Sequence, residues 1–257
     1  MNSVISPGGV IDLFDRFPRR ASDLLLKHCE HVTLLQDQIL NEPGEQVHYA
    51  YFPIDSIVAL TVGLDEHDAL GIALVGSEGM LGTSMMMGMS TSVLRAKVQG
   101  AGEALRISAS DFQRVRIEAP VLDREIFLYF HALLAQMAQT ALCTAFHVVE
   151  ARLAGWLLMT HDRTHADRFY MTHDSLARML GVRRSGISTA AGVLQSQKLI
   201  RYSRGHIFVL NRNGLVKAAC GCHDTERKVL DQLAPFLRAG SNTPLHSKGL
   251  VAPPQAG

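Results

Sequence analysis

The spacing of apolar residues divides the chain into parts with different periods. From about Gln36 to Ile107, short apolar or alternating runs such as "SIVALTV", "GIALVG" and "VLRAKVQG" are separated by turn residues. Strands this short and evenly spaced predict an antiparallel barrel or jelly roll. The leucine-rich "ASDLLLKHCEHVTLL" before it predicts a short helix, and a helical pattern resumes at Ser110. A polar loop or small hairpin is expected at "RTHADRFY".

A stretch without glycine or proline follows Pro120 and continues to Gly155. It predicts a helix from Pro120 to Arg152, roughly 50 Å long at 1.5 Å per residue, with a hinge near His147 to Glu150 that couples the roll to the C-terminal part. Its apolar or small positions recur in steps of four and three, as in a coiled-coil seam. The seam could be buried against its own domain, but we favour pairing across a two-fold axis, the commonest closed assembly. The predicted dimer seam is Phe130, Leu134, Met137, Ala141, Thr144 and Val148.

The stretch "MTHDSLARMLGVRRSGISTA" predicts two short amphipathic helices joined at Gly181. Thr172 can cap the first helix with its hydroxyl group, and Gly181 permits the left-handed backbone of a sharp turn. The inward positions are Leu176, Ala177 and Leu180 in the first helix and Ile187, Ala191 and Leu194 in the second. The second helix therefore leaves a polar face outward near its start, formed by Arg183, Arg184, Ser185, Ser188 and Thr189.

Charge is unevenly distributed, although the chain as a whole carries only +1. Between Ser175 and His223 there is no Asp or Glu, and eight Lys and Arg residues leave the remainder with −7. This asymmetry favours a polyanionic partner over a merely solvated basic face. The following "RYSRGHIF" predicts a wing whose Arg201, Arg204 and His206 can meet a phosphate backbone. Capped helix, glycine turn, basic face and wing together indicate double-stranded DNA as the partner.

The length, the apolar runs and the cysteine content of the chain restrict the classes of protein to which it can belong. Its 257 residues suit one large or two medium domains, and no apolar run approaches the roughly 20 residues of a membrane span. The first residues, "MNSVISPGGVIDLF", lack the basic and apolar regions of a signal peptide. Four scattered cysteines favour free thiols in a reducing compartment. A cytoplasmic protein without a membrane partner is therefore expected.

The order of parts, and above all "MTHDSLARMLGVRRSGISTAAGVLQSQKLIRYSRGHIFVLN", resembles the Crp/Fnr family of bacterial transcription regulators over about Leu24 to Leu215. The resemblance implies an α+β fold: an N-terminal double-stranded β-helix (jelly-roll) sensor domain at 20–119, a long dimerisation helix at 120–150 and a C-terminal winged helix-turn-helix at 151–235. It also implies a homodimer that binds an inverted repeat and contacts RNA polymerase. A disordered tail is expected at 240–257. No enzymatic activity and no cofactor are predicted, and the effector is not identified.

Departures from the family pattern lie at the ligand and base-reading positions. Ser90 stands where cyclic-AMP-binding members place a phosphate-pairing Arg, and Met137 and Ala138 stand where they offer Thr and Ser to adenine. A buried phosphodiester would lack a charged partner, so binding of cyclic AMP in the usual way is not expected. The candidate effector pocket is Gly76, Glu78, Gly79, Met80, Leu81, Ser90 and Met137.

In the reading helix, Ser185 and Thr189 replace the family's base-reading Glu and Arg, while Arg184 is retained. Arg184 is therefore expected to read a guanine in an operator that differs from the standard half-site. Cys29 alone cannot supply a four-thiolate iron–sulfur cluster to the sensor domain.

Metal chemistry is the remaining alternative. Candidate groups are His28 with His31, His161 with His165, and His223 with Cys220 and Cys222. None completes a tetrahedral ligand set at the usual spacing, so no metal site is predicted. We expect structural thiols, with redox or metal sensing by "CGCH" as the alternative. His48 in a barrel strand leaves a cupin-type metal-dependent enzyme as the second functional class, although a cupin needs more histidines than "VHYAYFP" offers.

Overall fold

The structure is a computed structural model that describes residues 12–63, 69–164, 166–225 and 228–229. After a short 3-10 turn, Phe14–Arg16, and helix α1, Arg19–Lys27, come strands β1 (Glu30–Leu34), β2 (Ile39–Asn41), β3 (Tyr49–Pro53), β4 (Ile57–Gly63), β5 (Ala69–Val75), β6 (Arg95–Gly100) and β7 (Gly102–Ser108). Helices α2 (Ala109–Glu118), α3 (Val121–Phe146) and α4 (Val149–Thr164) follow. The last part is β8 (Arg168–Tyr170), α5 (His173–Leu180), α6 (Arg184–Ser196), β9 (Ile200–Ser203), β10 (His206–Val209) and α7 (Arg212–Ala218).

Strands β1 to β7 form the predicted jelly roll from two antiparallel sheets, ordered β1-β7-β3 and β2-β6-β4-β5. Strand β1 lies where the sequence predicted a continuing helix, so that helix prediction is wrong beyond Lys27. The reason is tertiary pairing: β1 pairs with β7 from Glu30 opposite Arg106 to Leu34 opposite Gly102. The β-branched residues Val32 and Thr33 suit that edge position.

Strands β4 and β5 are buried on both faces. Val58 and Leu60 of β4 point into the roll, whereas Ile57 and Ala59 belong to a second core shared with the C-terminal helices. A strand covered on both faces has a continuous apolar run instead of an alternating one, as "SIVAL" shows. The C-terminal part therefore packs directly on the outer surface of this sheet.

Two contacts show how close that packing is. A Cβ atom on Gly71 would lie 2.7 Å from the ring of Trp156, so only glycine fits there. Nearby, Arg163 of α4 donates from Nε to Oε1 of Glu78 at 2.7 Å, with both side chains largely buried. The roll and the C-terminal part are thus joined by apolar packing and by an ion pair.

The long helix is shorter than predicted: the expectation of one helix to Arg152 is wrong, and the chain changes direction at the hinge expected near His147. Helix α3 ends at Phe146, because His147 has extended backbone angles, φ −114° and ψ 145°, and α4 begins at Val149. The sequence contains no proline or glycine that marks this break. The β-branched pair Val148 and Val149 lowers the helix propensity only slightly, so packing of α4 on the roll decides the change of direction.

Helix α3 packs on the roll with one face and leaves the opposite face open. Leu122, Ile126, Tyr129 and Leu133 on its inner face are buried. We call the opposite side the outer face of α3; its exposed apolar or small residues are Phe127, Leu134, Ala138, Ala141, Leu142 and Ala145. Among the described residues, α3 is also the one helix long and apolar enough to cross a bilayer, but the buried inner face already has the roll as its partner.

Some sequence expectations fall outside the described residues. They are the tail at 240–257, the end of the winged domain at 230–235, and His165.

Candidate nucleic-acid interface

Helices α5 and α6 form the predicted helix–turn–helix. The Thr172 Oγ1 atom accepts a hydrogen bond from the Ser175 backbone N–H at 3.1 Å, which confirms the predicted cap. Gly181 has φ +61° and ψ +43° at the turn, the left-handed conformation that favours glycine. The six residues predicted to face inward are all buried: Leu176, Ala177, Leu180, Ile187, Ala191 and Leu194.

The start of α6 presents an exposed polar surface. Arg183, Arg184, Ser185, Ser188 and Thr189 are all exposed. Arg184 forms an ion pair with Asp174 at 3.3 Å, in which the two side chains keep 68% and 59% of their exposure. A pair this exposed is worth little, so Arg184 can exchange Asp174 for another partner at small cost.

His173 is a residue of this surface that the sequence analysis missed. Its Nδ1 atom lies 3.0 Å from Ser188 Oγ, and its ring stacks on Tyr202 with centroids 4.1 Å apart. Burial, and secondarily the charge of Arg184, lowers the pKa of His173. The ring therefore links α5, α6 and β9 as a mainly neutral group at pH 7. No sequence signal marks it, because its two contacts come from residues distant along the chain.

The wing is a three-stranded antiparallel sheet, ordered β8-β10-β9. Strand β8 replaces the loop or hairpin predicted at "RTHADRFY", because Tyr170 and Phe169 pair with His206 and Ile207 of β10. At the wing tip Arg204 has φ +50°, which turns the chain between the two strands. These three strands support the exposed arginines of the wing.

Basic side chains of the wing are held by aromatic rings. Arg201 lies over the Phe208 ring at 4.2 Å, and Arg168, which the sequence analysis did not select, lies over the same ring at 5.4 Å. The imidazole ring of His206 meets the Tyr170 ring edge-on at 5.3 Å. Arg201 and Arg204 are exposed, and His206 is half-buried.

Four of the eight basic residues in the acid-free stretch do not belong to this surface, and two of them, Lys198 after the end of α6 and Lys217 on α7, are exposed elsewhere. Arg212 is paired with Asp162 at 2.6 Å. Burial alone would raise the pKa of Asp162, but hydrogen bonds from His223 and Arg212 outweigh this effect and hold the pKa below its usual range. Arg178 is half-buried and faces a cavity that is also lined by Arg95 and Lys97 of the roll. The exposed basic residues of this surface are Arg183, Arg184, Arg201 and Arg204.

Residues 151–218 match the family model of the Crp-like helix-turn-helix domain. The chain carries a Crp-like helix-turn-helix domain on the Crp/Fnr fold.

Solved structures support the fold over 75% to 80% of the chain. FixK2 from Bradyrhizobium japonicum is similar with a TM-score of 0.63 and 16% identity, over 75% of this chain and 98% of its own. The c-di-GMP-responsive global regulator CLP from Xanthomonas campestris gives 0.62 and 18%, over 75% of this chain and 99% of its own. A Crp/Fnr-family regulator from Eubacterium rectale gives 0.62 and 14%, over 80% and 96%. No curated protein matches the chain in sequence.

In this Crp/Fnr fold the predicted effector residues do not form one site. Met80, Leu81 and Met137 line a cavity of about 200 Å³ between the roll and α3, together with Phe130 and Leu133. The lining residues that the structure describes include no Lys or Arg.

The other four predicted effector residues lie elsewhere. Glu78 is held by Arg163, and its Oε1 atom also accepts from the Gly76 backbone N–H at 3.3 Å. Gly79 packs under Tyr129, whose ring would lie 2.4 Å from an added Cβ atom. Ser90 is exposed, and its carbonyl accepts from the Val47 N–H at 2.8 Å.

The residues of the predicted dimer seam also differ in exposure. Leu134 and Ala141 are exposed on the outer face of α3, and Val148 is 71% exposed just beyond the helix. Phe130, Met137 and Thr144 are half-buried. The open apolar surface is therefore rotated from the predicted seam toward Phe127, Ala138 and Leu142.

Proposed function

We propose that this Crp/Fnr-type regulator is a homodimer that binds an inverted-repeat operator in double-stranded DNA. The observation that carries the proposal is the exposed surface of arginine and hydroxyl side chains at the start of α6, extended by Arg201 and Arg204 of the wing. A helix N-terminus attracts phosphate through its partial positive charge, and hydroxyl and guanidinium groups can reach base edges from there. The two α6 helices of the dimer would lie about 34 Å apart, one turn of the duplex.

The outer face of α3 supports the homodimer. Phe127 and Leu134 are each 48% exposed and lie two helical turns apart on one side. The exposed alanines beyond them, Ala138, Ala141 and Ala145, allow a second helix to approach closely. A two-fold axis along this face would bury the apolar residues of both copies and bring the two α6 helices to the same side of a duplex.

The cavity between the roll and α3 supports regulation that does not depend on cyclic AMP. Without a cationic side chain among its described lining residues, the cavity offers no charged partner to a phosphodiester. Action in the cytoplasm and contact with RNA polymerase belong to the same proposal, through the resemblance to Crp/Fnr regulators. The cupin-type alternative is not favoured: His48 is exposed, and the one metal-ligand group found among the described residues lies outside the roll.

Selection from randomised DNA with purified protein tests the proposal. We expect a palindrome with half-sites about 10 base pairs apart, and the same palindrome with and without cyclic AMP. Affinity should fall about 1000-fold or more between about 50 mM and about 200 mM salt, because many basic residues of the dimer displace counterions. Selection of no sequence, or of a single half-site, would contradict the dimeric operator, and affinity that is indifferent to salt would contradict the phosphate contacts.

Arg184→Ala is expected to weaken binding to the selected operator about 10- to 100-fold, because a bidentate guanine contact is lost. Binding to random DNA should change much less. The measurement is fluorescence anisotropy with labelled operator and labelled random duplex at constant salt.

The matched control is Arg114→Ala, which removes an equally exposed arginine on α2, paired with Asp111, far from α6 in the chain. It should leave both affinities unchanged. If the Arg184→Ala variant binds the operator as tightly as the unmodified protein, Arg184 does not read a base.

A further inference from the structure

Three cysteines and one histidine come together where α3 ends. Cys143 Sγ lies 3.4 Å from Cys220 Sγ, and Cys222 Sγ lies 3.4 Å from His147 Nδ1. The ligand atoms of all four residues lie within 4.8 Å of one another. All four cysteines of the chain are free thiols.

These distances suit a tetrahedral ion. With Zn–S of about 2.3 Å and Zn–N of about 2.0 Å, tetrahedral geometry places two sulfurs about 3.8 Å apart and a sulfur and a nitrogen about 3.5 Å apart. The observed separations are within a few tenths of an ångström of both values. Three cysteines with one histidine are also a ligand set of structural zinc sites.

We propose that Cys143, His147, Cys220 and Cys222 bind one Zn²⁺ ion. The step is ligand exchange without oxidation: four Zn–ligand bonds form, the ion loses its bound waters, and the protons of the thiols pass to solvent. His147 coordinates through Nδ1 as a neutral imidazole.

The surroundings of the cluster suit a metal–thiolate centre. Gln139 Nε2 donates to Cys222 Sγ at 3.0 Å, a contact that supports a ligand sulfur from outside the coordination sphere. Three thiolates and Zn²⁺ carry a net charge of −1, and Arg152 lines the same cavity as Cys143 and Cys220. That cavity opens beside the cluster and provides a path for the ion.

The position of the site gives the ion a structural consequence. Cys143 lies at the end of α3, and His147 lies at the break before α4. Cys220 and Cys222 follow α7, and Cys220 comes 77 residues after Cys143 in the chain. One ion would therefore fasten the Crp-like domain to the end of the long helix. It would stabilise the arrangement in which that domain packs on the roll, because the four ligands lie together in this arrangement.

Metal analysis of the full-length chain tests the proposal. Protein produced with added zinc and purified under reducing conditions should contain about one zinc per protomer, by mass spectrometry of the metal content. Removal of zinc and titration with Co²⁺ should give the intense visible absorption bands of a tetrahedral cobalt–thiolate site. The cobalt spectrum requires no substitution, so it tests the site even if a variant fails to fold.

The variants Cys143→Ser, Cys222→Ser and His147→Gln should each lose most of the zinc. Cys29→Ser is the matched control, because Cys29 is a half-buried thiol packed against the core of the roll, outside the cluster. It should keep the zinc. Wild-type protein with neither zinc nor a cobalt–thiolate spectrum, a disulfide between Cys143 and Cys220 in the zinc-supplemented protein, or equal zinc loss in Cys29→Ser would each overturn the proposal.

Discussion

A chain in which Phe127 and Leu134 are both replaced by glutamate is expected to be monomeric at micromolar concentration. It should bind the inverted repeat at least about 100-fold more weakly than the unmodified chain. The physical reason is that two carboxylates per protomer would have to be desolvated at the centre of the two-fold contact along the outer face of α3. A monomer also loses the advantage of two linked half-site contacts. Sedimentation equilibrium and fluorescence anisotropy measure the two effects.

The control places the same two charges elsewhere on the surface. Leu35 is 65% exposed and Ile117 is 79% exposed, and both lie outside α3. The variant carrying Leu35→Glu and Ile117→Glu should keep the mass of a dimer and the operator affinity. A dimer that survives the change at Phe127 and Leu134 would show that the two-fold contact lies on another surface. Monomers that still bind the full operator tightly would contradict the linked half-site model.

The second large effect is expected from the ion pair between the roll and α4. Replacing Glu78 by glutamine should lower the free energy of unfolding by about 3 kcal/mol. Arg163, only 9% exposed, would keep its hydrogen bond to the Met159 carbonyl but lose its ion pair with a carboxylate in a largely buried place. Glutamine keeps the shape of the side chain, so the loss of stability measures the contribution of the negative charge. Urea unfolding followed by the fluorescence of Trp156, the single tryptophan, measures the change.

Glu30→Gln is the matched control for this substitution. Glu30 forms an ion pair with Arg106 at 2.8 Å, but its side chain is 61% exposed. Removing an exposed pair should change stability by less than about 1 kcal/mol. Equal effects of the two substitutions would show that burial of the Glu78 pair contributes nothing, and that the apolar packing around Gly71 and Trp156 alone joins the two parts.

The helix–turn–helix was predictable because its determinants are local. Thr172 caps a helix that begins at the next residue, Gly181 turns the chain, and Ile187 and Leu194 lie at helical spacing. Neighbouring residues alone decide a cap, a left-handed turn and an amphipathic period. The same reasoning could not find His173, since its partners Ser188 and Tyr202 come from other elements.

The strands β1 and β8 show the limit of local reasoning. Each is short, and each forms because a partner strand is already in place: β7 beside β1, and β10 beside β8. Hydrogen bonding to that partner outweighs the leucine-rich helical pattern before β1 and the polar composition before β8.

By itself, the sequence determined that this chain has an antiparallel barrel or jelly roll, a long apolar helix and a winged helix-turn-helix with an acid-free, basic stretch. These follow from periodicity, capping and charge, which are properties of neighbouring residues. Only the tertiary structure decided that Glu78 serves an ion pair instead of a ligand pocket, and that Cys143 and His147 meet Cys220 and Cys222. The physical reason is that each of these depends on packing between segments far apart in the chain, where the free energy of burial and not local propensity selects the geometry.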